Sequence, residues 1–133
     1  MGRAVGIADE LDPRRRDGRD ALSSLGDRWN HGDLETIMAP VAPDVLFSSP
    51  GISMLTGDPS RTTIEGYDEL RTYLEDALRR AGDVRYTLRA THVGIDSIIL
   101  FYACARPNGP EKLGADLMRV DGDRRVVEWR CHY

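Results

Sequence analysis

The sequence has little of what metal, phosphate, redox or membrane chemistry needs. It contains only two cysteines, Cys104 and Cys131, without the C-x-x-C spacing of a redox or zinc motif. Both sit in apolar runs, so two buried free thiols in a reducing compartment are expected. The histidines His31, His92 and His132 are scattered with no ligand spacing, and no metal site is expected. The glycines form neither a phosphate loop nor a dinucleotide fingerprint, so no cofactor is expected. No apolar run approaches the ~18 residues of a membrane-crossing helix, and the N-terminus shows no apolar signal-peptide core. A cytoplasmic protein is expected. The net charge of −4 and pI of 5.3 argue against nucleic acid or an anionic membrane as partner.

What is present is the balance of a globular domain, with 41% hydrophobic and 30% charged residues in a chain of 133. A domain of this length buries roughly two thirds of its unfolded surface and needs no disulfide or metal to fold. Residues 1–17 are rich in Gly, Arg and Asp and read as a flexible lead-in, with residues 18–133 as the folded domain. A basic arm around Arg14-Arg15-Arg16 is the rival reading, weakened by the flanking Asp12 and Asp17.

A first helix is expected from Asp20, with Leu22, Leu25 and Trp29 on one face and Gly32 as its stop. Asp33 can cap a short second helix carrying Leu34, Ile37, Met38 and Val41. Asp44 to Ser49 reads as a strand, and Pro50 to Thr63 as a loop long enough to act as a lid. An amphipathic helix over 64–81 presents Tyr67, Leu70, Leu74, Ala77, Leu78 and Ala81 and closes at Gly82. Strands follow over 84–93, 97–105, 112–120 and 125–133. The run from Ser97 to Ala105 is so apolar that burial of both faces is expected. Helices before an antiparallel sheet make an α+β arrangement, and a twisted sheet can curl around the long helix and leave a hollow.

Four segments then resemble a known family. Arg28-Trp29-Asn30-His31-Gly32-Asp33-Leu34 looks like the end of the first helix in NTF2-like proteins. Ala42-Pro43-Asp44-Val45-Leu46-Phe47 is similar to the start of their first strand, and Ile64-Glu65-Gly66-Tyr67-Asp68-Glu69-Leu70 to the start of their long helix. Ala115 to Val120 with Val126 to Arg130 is similar to the last hairpin of ketosteroid isomerases. The resemblance implies an NTF2-like, SnoaL-like cone: a curved antiparallel sheet wrapped around helices, with an internal pocket for a small apolar or polycyclic molecule.

The resemblance carries over residue by residue. The position of the ketosteroid isomerase donor Asp is Asp116, but its general base is replaced by Ser49 and its donor Tyr by Leu25. Steroid isomerisation by that machinery is therefore not expected. Limonene-epoxide hydrolases place a catalytic Asp where this chain has Cys131, two residues after Trp129, so their machinery is not retained either. An isomerase, cyclase, lyase or hydrolase with Asp116 as acid or hydrogen-bond donor is expected. The alternative is a non-catalytic ligand-binding or dimerisation module.

Alternation places Asp116, Met118 and Val120 on one face of their strand. A hairpin pairing residue 120 with 125 sets Asp116 opposite Trp129 and puts Val127, Trp129, Cys131 and Tyr133 on the same face. A slip of one residue would instead bring Glu128, Arg130 and His132 beside Asp116. The first register keeps the apolar residues inward. Asp116 would then be a lone carboxylate in apolar company, with its pKa raised by desolvation. Trp29, Phe47, Ser49, Met54, Tyr67, Tyr102, Met118, Trp129, Cys131 and Tyr133 are the candidate pocket walls. The outer sheet face, with Arg119, Glu128, Arg130 and His132, is expected to form a homodimer.

Overall fold

The computed structural model describes residues 29–133. The expected lead-in over 1–17 and the first helix as far as Arg28 lie outside the described residues; Trp29 to His31 are helical. Three further helices are α1 (Leu34–Met38), α2 (Pro50–Thr56) and α3 (Tyr67–Ala81). The strands are β1 (Val41–Ser48), β2 (Thr63–Glu65), β3 (Arg85–Val93), β4 (Ser97–Ala105), β5 (Lys112–Val120) and β6 (Val126–His132). Among the described residues they form one curved, unclosed sheet in the order β2-β1-β6-β5-β4-β3. The pairs are antiparallel except β1 with β6, which run parallel.

Asp33 caps α1 by accepting from the Thr36 amide at 3.2 Å. Strand β1 begins at Val41 rather than Asp44, because Val41 already pairs with Val126 and the Val126 amide donates to the Pro40 carbonyl at 2.8 Å. The segment expected to be a lid loop is half helical. Ser49 accepts from the Gly51 amide, Pro50 supplies the pre-set φ of a first helical residue, and Gly57 ends α2 in the left-handed region at φ 73°. The long helix starts at Tyr67 and not at 64, because Gly66 at φ 95° breaks the chain direction. Ile64 belongs instead to β2, paired with Phe47.

Leu70 and Leu74 of α3 face β1 and β2, closing a core of Ile37, Met38, Val45, Phe47, Ile52, Ile64, Leu100, Met118, Val126 and Trp129. Strand β4 is not buried on both faces throughout: the face opposite Ile98 and Leu100 carries buried Ala103 but exposed Phe101. Ile98 and Leu100 point inward while Phe101 is exposed, so the apolar run includes an outer-face position that none of the described residues covers.

The β5–β6 register differs from expectation by two residues. Cys131 stands opposite Asp116 and Trp129 opposite Met118, with an irregularity between Arg119 and Val120. The turn explains it: Asp121 accepts from the amides of Asp123 and Arg125, and Arg124 takes φ 62°. An even shift keeps every side chain from Ala115 to Arg119 on its expected face. The irregularity makes Val126, not Val127, the core residue.

Candidate functional site

Asp116 is 7% exposed and is one of two buried polar residues, with Ser49, among those described. It is not a lone carboxylate in apolar company. Its Oδ1 accepts from the Tyr102 hydroxyl at 3.0 Å and its Oδ2 from Trp129 Nε1 at 3.0 Å. The Cys131 thiol, directly across the β5–β6 ladder, stands beside the same carboxyl. Burial nevertheless outweighs these donors and pushes the Asp116 carboxyl above its usual range. Burial and the neighbouring carboxylate push the Cys131 thiol and the Tyr102 phenol upward too, so both keep their protons. Asp116 is thus the titrating member of the group.

The local sequence dictates this geometry. Tyr102 pairs across the ladder with Gly114, and a Cβ at residue 114 would lie 2.6 Å from the tyrosine ring. The missing side chain lets the ring of Tyr102 lie across β5 and reach Asp116, two residues along the same strand face. Gly114 is the residue sequence reasoning missed. A glycine mid-strand beside an apolar run is a signal of close approach that was there to read.

A second polar group lies beside the first. Ser49 Oγ and the Tyr133 hydroxyl are 2.5 Å apart, and Ser49 also caps α2. The Tyr73 hydroxyl joins them: a Cβ on Gly51 would meet Tyr133 at 2.8 Å and Tyr73 at 2.9 Å. Burial raises Tyr73 to about 12, and Cys131 interacts with both Ser49 and Asp116, linking the two groups. Both groups are built from hydroxyls, a thiol and one carboxyl.

A cavity of about 490 Å³ opens at this end of the sheet, lined by Met54, Val84, Tyr86, Tyr102, Cys104, Tyr133 and the turn before β5. That is within the range of small-molecule sites. Tyr102 and Tyr133 belong to both the cavity and the polar groups, while Asp116 itself is not on the lining. Met54 lines the cavity from α2, not from a lid loop. Phe47, Met118 and Trp129 are buried in the core; Phe47 and Trp129 meet edge to face at 5.3 Å. Tyr67 packs on the core at the start of α3 and lines none of these spaces. Trp29 stacks edge to face on Trp129 at 5.7 Å and borders a separate cavity of about 400 Å³ with Leu78 and Tyr86.

Asn30 beside Trp29 has a physical role of its own. Its side-chain amide accepts from the Tyr86 backbone amide at 2.7 Å and donates to the Tyr86 carbonyl at 3.0 Å. It thereby pairs with the free edge of β3 as a strand would. His132 is exposed and pairs with Ala115, so the His132–Asp116 dyad of the slipped register does not form. Among the described residues no cluster of His, Cys, Asp or Glu could hold a metal ion, and no helix is long and apolar enough to cross a membrane.

A curved, unclosed sheet packed against a long helix, with a carboxyl buried on its inner face, defines an α+β protein of the NTF2-like fold. The chain belongs to the SnoaL-like domain family, whose model matches residues 24–129. It is similar to a SnoaL-like protein of unknown function from Burkholderia thailandensis, at 29% identity over 96% of this chain and 93% of that one, with a TM-score of 0.74. An NTF2-like protein of unknown function from Mesorhizobium loti is 18% identical over 95% and 89% of the chains, with a TM-score of 0.66. A steroid delta-isomerase from Pseudomonas aeruginosa is 17% identical over 89% and 80%, with a TM-score of 0.63. These last two show the fold alone. No curated protein matches.

Proposed function

We propose that the chain is a cofactor-independent enzyme of isomerase, cyclase, lyase or hydrolase type, acting on a small ring-bearing metabolite held in the 490 Å³ cavity. One observation carries this reading: Tyr102 lines the cavity and donates to Asp116, whose other oxygen is already committed to Trp129. Indole nitrogen is a donor only and gives a proton on Oδ2 no acceptor, whereas a proton on Oδ1 meets the Tyr102 oxygen, so Oδ1 is the favoured seat of the acid proton. Protonated Asp116 therefore donates to the Tyr102 oxygen and turns the phenolic proton toward the cavity. A substrate carbonyl, epoxide or leaving-group oxygen placed there takes the phenolic proton as Asp116 returns its own to Tyr102. The carboxylate that results keeps its bond to Trp129.

A thermal-shift screen of cyclic ketones, followed by α-hydrogen exchange with D₂O on the stabilising compounds, tests the reading. Exchange that disappears in Tyr102→Phe and Asp116→Asn while binding persists is the expected result. Exchange unaffected by both substitutions, or no stabilising ring compound at all, refutes it. The competing reading, a ligand-binding module without chemistry, draws on the complete hydrogen bonding of Asp116; binding with no exchange in the wild type would favour it.

The outer sheet face is the proposed homodimer contact. Phe101 is exposed there, beside the ion pairs of Glu128 with Arg119 and Arg130. Cys104 and Cys131 are both free, which suits a reducing cytoplasm.

A further inference from the structure

The cavity that carries the proposed reaction is unevenly charged. Its lining includes two cations, Arg106 and Lys112, and no carboxylate, although the chain as a whole has net charge −4. The two cations are not equivalent. Arg106 is bound to Asp83 at 2.7 Å and to the Ala81 carbonyl at 3.2 Å, so its charge is neutralised and its position fixed. Lys112 makes no ion pair among the described residues, and the adjacent Glu111 is engaged by Arg89 at 2.8 Å. The Lys112 ammonium stands exposed at the cavity mouth, where an anionic group can meet it.

The rest of the rim is apolar and open. Met54, Leu113 and Tyr133 are 81%, 71% and 62% exposed, and all three line the same cavity. Strand geometry sets the spacing. Lys112, Gly114 and Asp116 share the inner face of β5, with Lys112 paired to Cys104 and Gly114 to Tyr102. At ~3.3 Å per residue, the Lys112 backbone lies roughly 7 Å from that of Gly114, where Tyr102 crosses, and roughly 13 Å from that of Asp116. Any negative charge is thus favoured at the Lys112 end. At the other end an ionised Asp116 would repel it.

We infer that the cavity selects a ring compound bearing one anionic group, seated with the anion against Lys112, its apolar body against Met54, Tyr86 and Tyr133, and its reacting oxygen about 7–10 Å away at Tyr102. This rests on the proposed function, because it takes the same cavity as the substrate site, and it adds the substrate's charge and orientation. Lys112 is a specificity-determining residue in this arrangement.

The test uses two fluorescent probes that differ by one negative charge: 8-anilinonaphthalene-1-sulfonate and its neutral parent N-phenyl-1-naphthylamine. Each is titrated into wild type, Lys112→Met and Lys112→Arg, with circular dichroism and melting temperature confirming the native fold. Lys112→Met is expected to weaken the sulfonate about fivefold and leave the neutral probe within about twofold, with Lys112→Arg restoring the sulfonate. The same preference for the sulfonate is expected to shrink between 20 mM and 200 mM NaCl, as screening of a partly exposed charge requires. Equal effects of Lys112→Met on both probes, or none on either, overturn the charge selection while leaving the cavity as a binding site. Failure of the folded wild type to bind either probe overturns the cavity reading itself.

Discussion

Replacing Asp116 separates its hydrogen-bonding role from its charge. In Asp116→Asn the amide oxygen can accept from Trp129 Nε1 and the amide nitrogen can donate to the Tyr102 oxygen, reproducing the protonated carboxyl. The expected cost near pH 5 is below about 1 kcal/mol. Asp116→Ala leaves the Trp129 indole buried with no acceptor. An unsatisfied buried donor costs about 1–3 kcal/mol, and the lost packing and thiol contact bring the expected loss to about 2–4 kcal/mol.

Acidity then gives the asparagine variant a diagnostic slope. The native pKa of Asp116 is raised by burial, so the folded state binds the proton more tightly than the unfolded one. The wild type is therefore most stable, relative to Asp116→Asn, below the unfolded value near 3.8, and loses that advantage as pH rises toward the native pKa. The steepest slope one proton allows is about 1.4 kcal/mol per pH unit, and the difference levels off above the native pKa. Urea unfolding of wild type, Asn and Ala variants from pH 4 to 8 reads all three quantities, with unchanged m-values required for comparison. An Asn variant as unstable as Ala refutes the hydrogen-bond assignment. A wild type that gains on Asn as pH rises refutes the raised pKa.

Two further substitutions probe the geometry. Gly114→Ala places a Cβ 2.6 Å from the Tyr102 ring and is expected to destabilise by about 1–3 kcal/mol and displace the phenol from Asp116; an unchanged Tyr102 hydroxyl resonance in NMR would contradict this. Ser49→Ala removes the cap of α2 and the partner of Tyr133, costing about 1 kcal/mol and speeding amide exchange over residues 51–53; unaltered exchange there would show that the cap is dispensable.

The fold was largely legible because its main elements carry strong periodic signals. Leu70 and Leu74 repeat at helical spacing, and Asp116, Met118 and Val120 alternate, so their buried faces follow from pattern alone. The short elements escaped for a physical reason. Helix α2 buries only Ile52, too little to generate a period, and its start is written instead in the cap Ser49 and in Pro50. The β5–β6 register depended on how Asp121 folds the turn, which hydrophobic alternation does not report. At the site, alternation found the face shared by Asp116, Trp129 and Cys131, but not who bonds to whom. Trp129 reaches Asp116 diagonally, and Tyr102 does so only because residue 114 has no side chain. Lys112 carried no pattern at all; its significance lies in its place on the cavity lining, where none of the described carboxylates pairs with it.

The central claim is that Asp116 is an acid whose proton is shared with Tyr102 at the cavity. A carbonyl ¹³C titration of Asp116 in wild type and Tyr102→Phe tests it most directly. The expected result is a native pKa above 3.8 that rises further when the Tyr102 hydroxyl is removed, since that hydroxyl stabilises the ionised form. A pKa at or below 3.8 would mean an ionised structural carboxylate, and one indifferent to Tyr102 would mean that no proton is shared; either result would contradict the account.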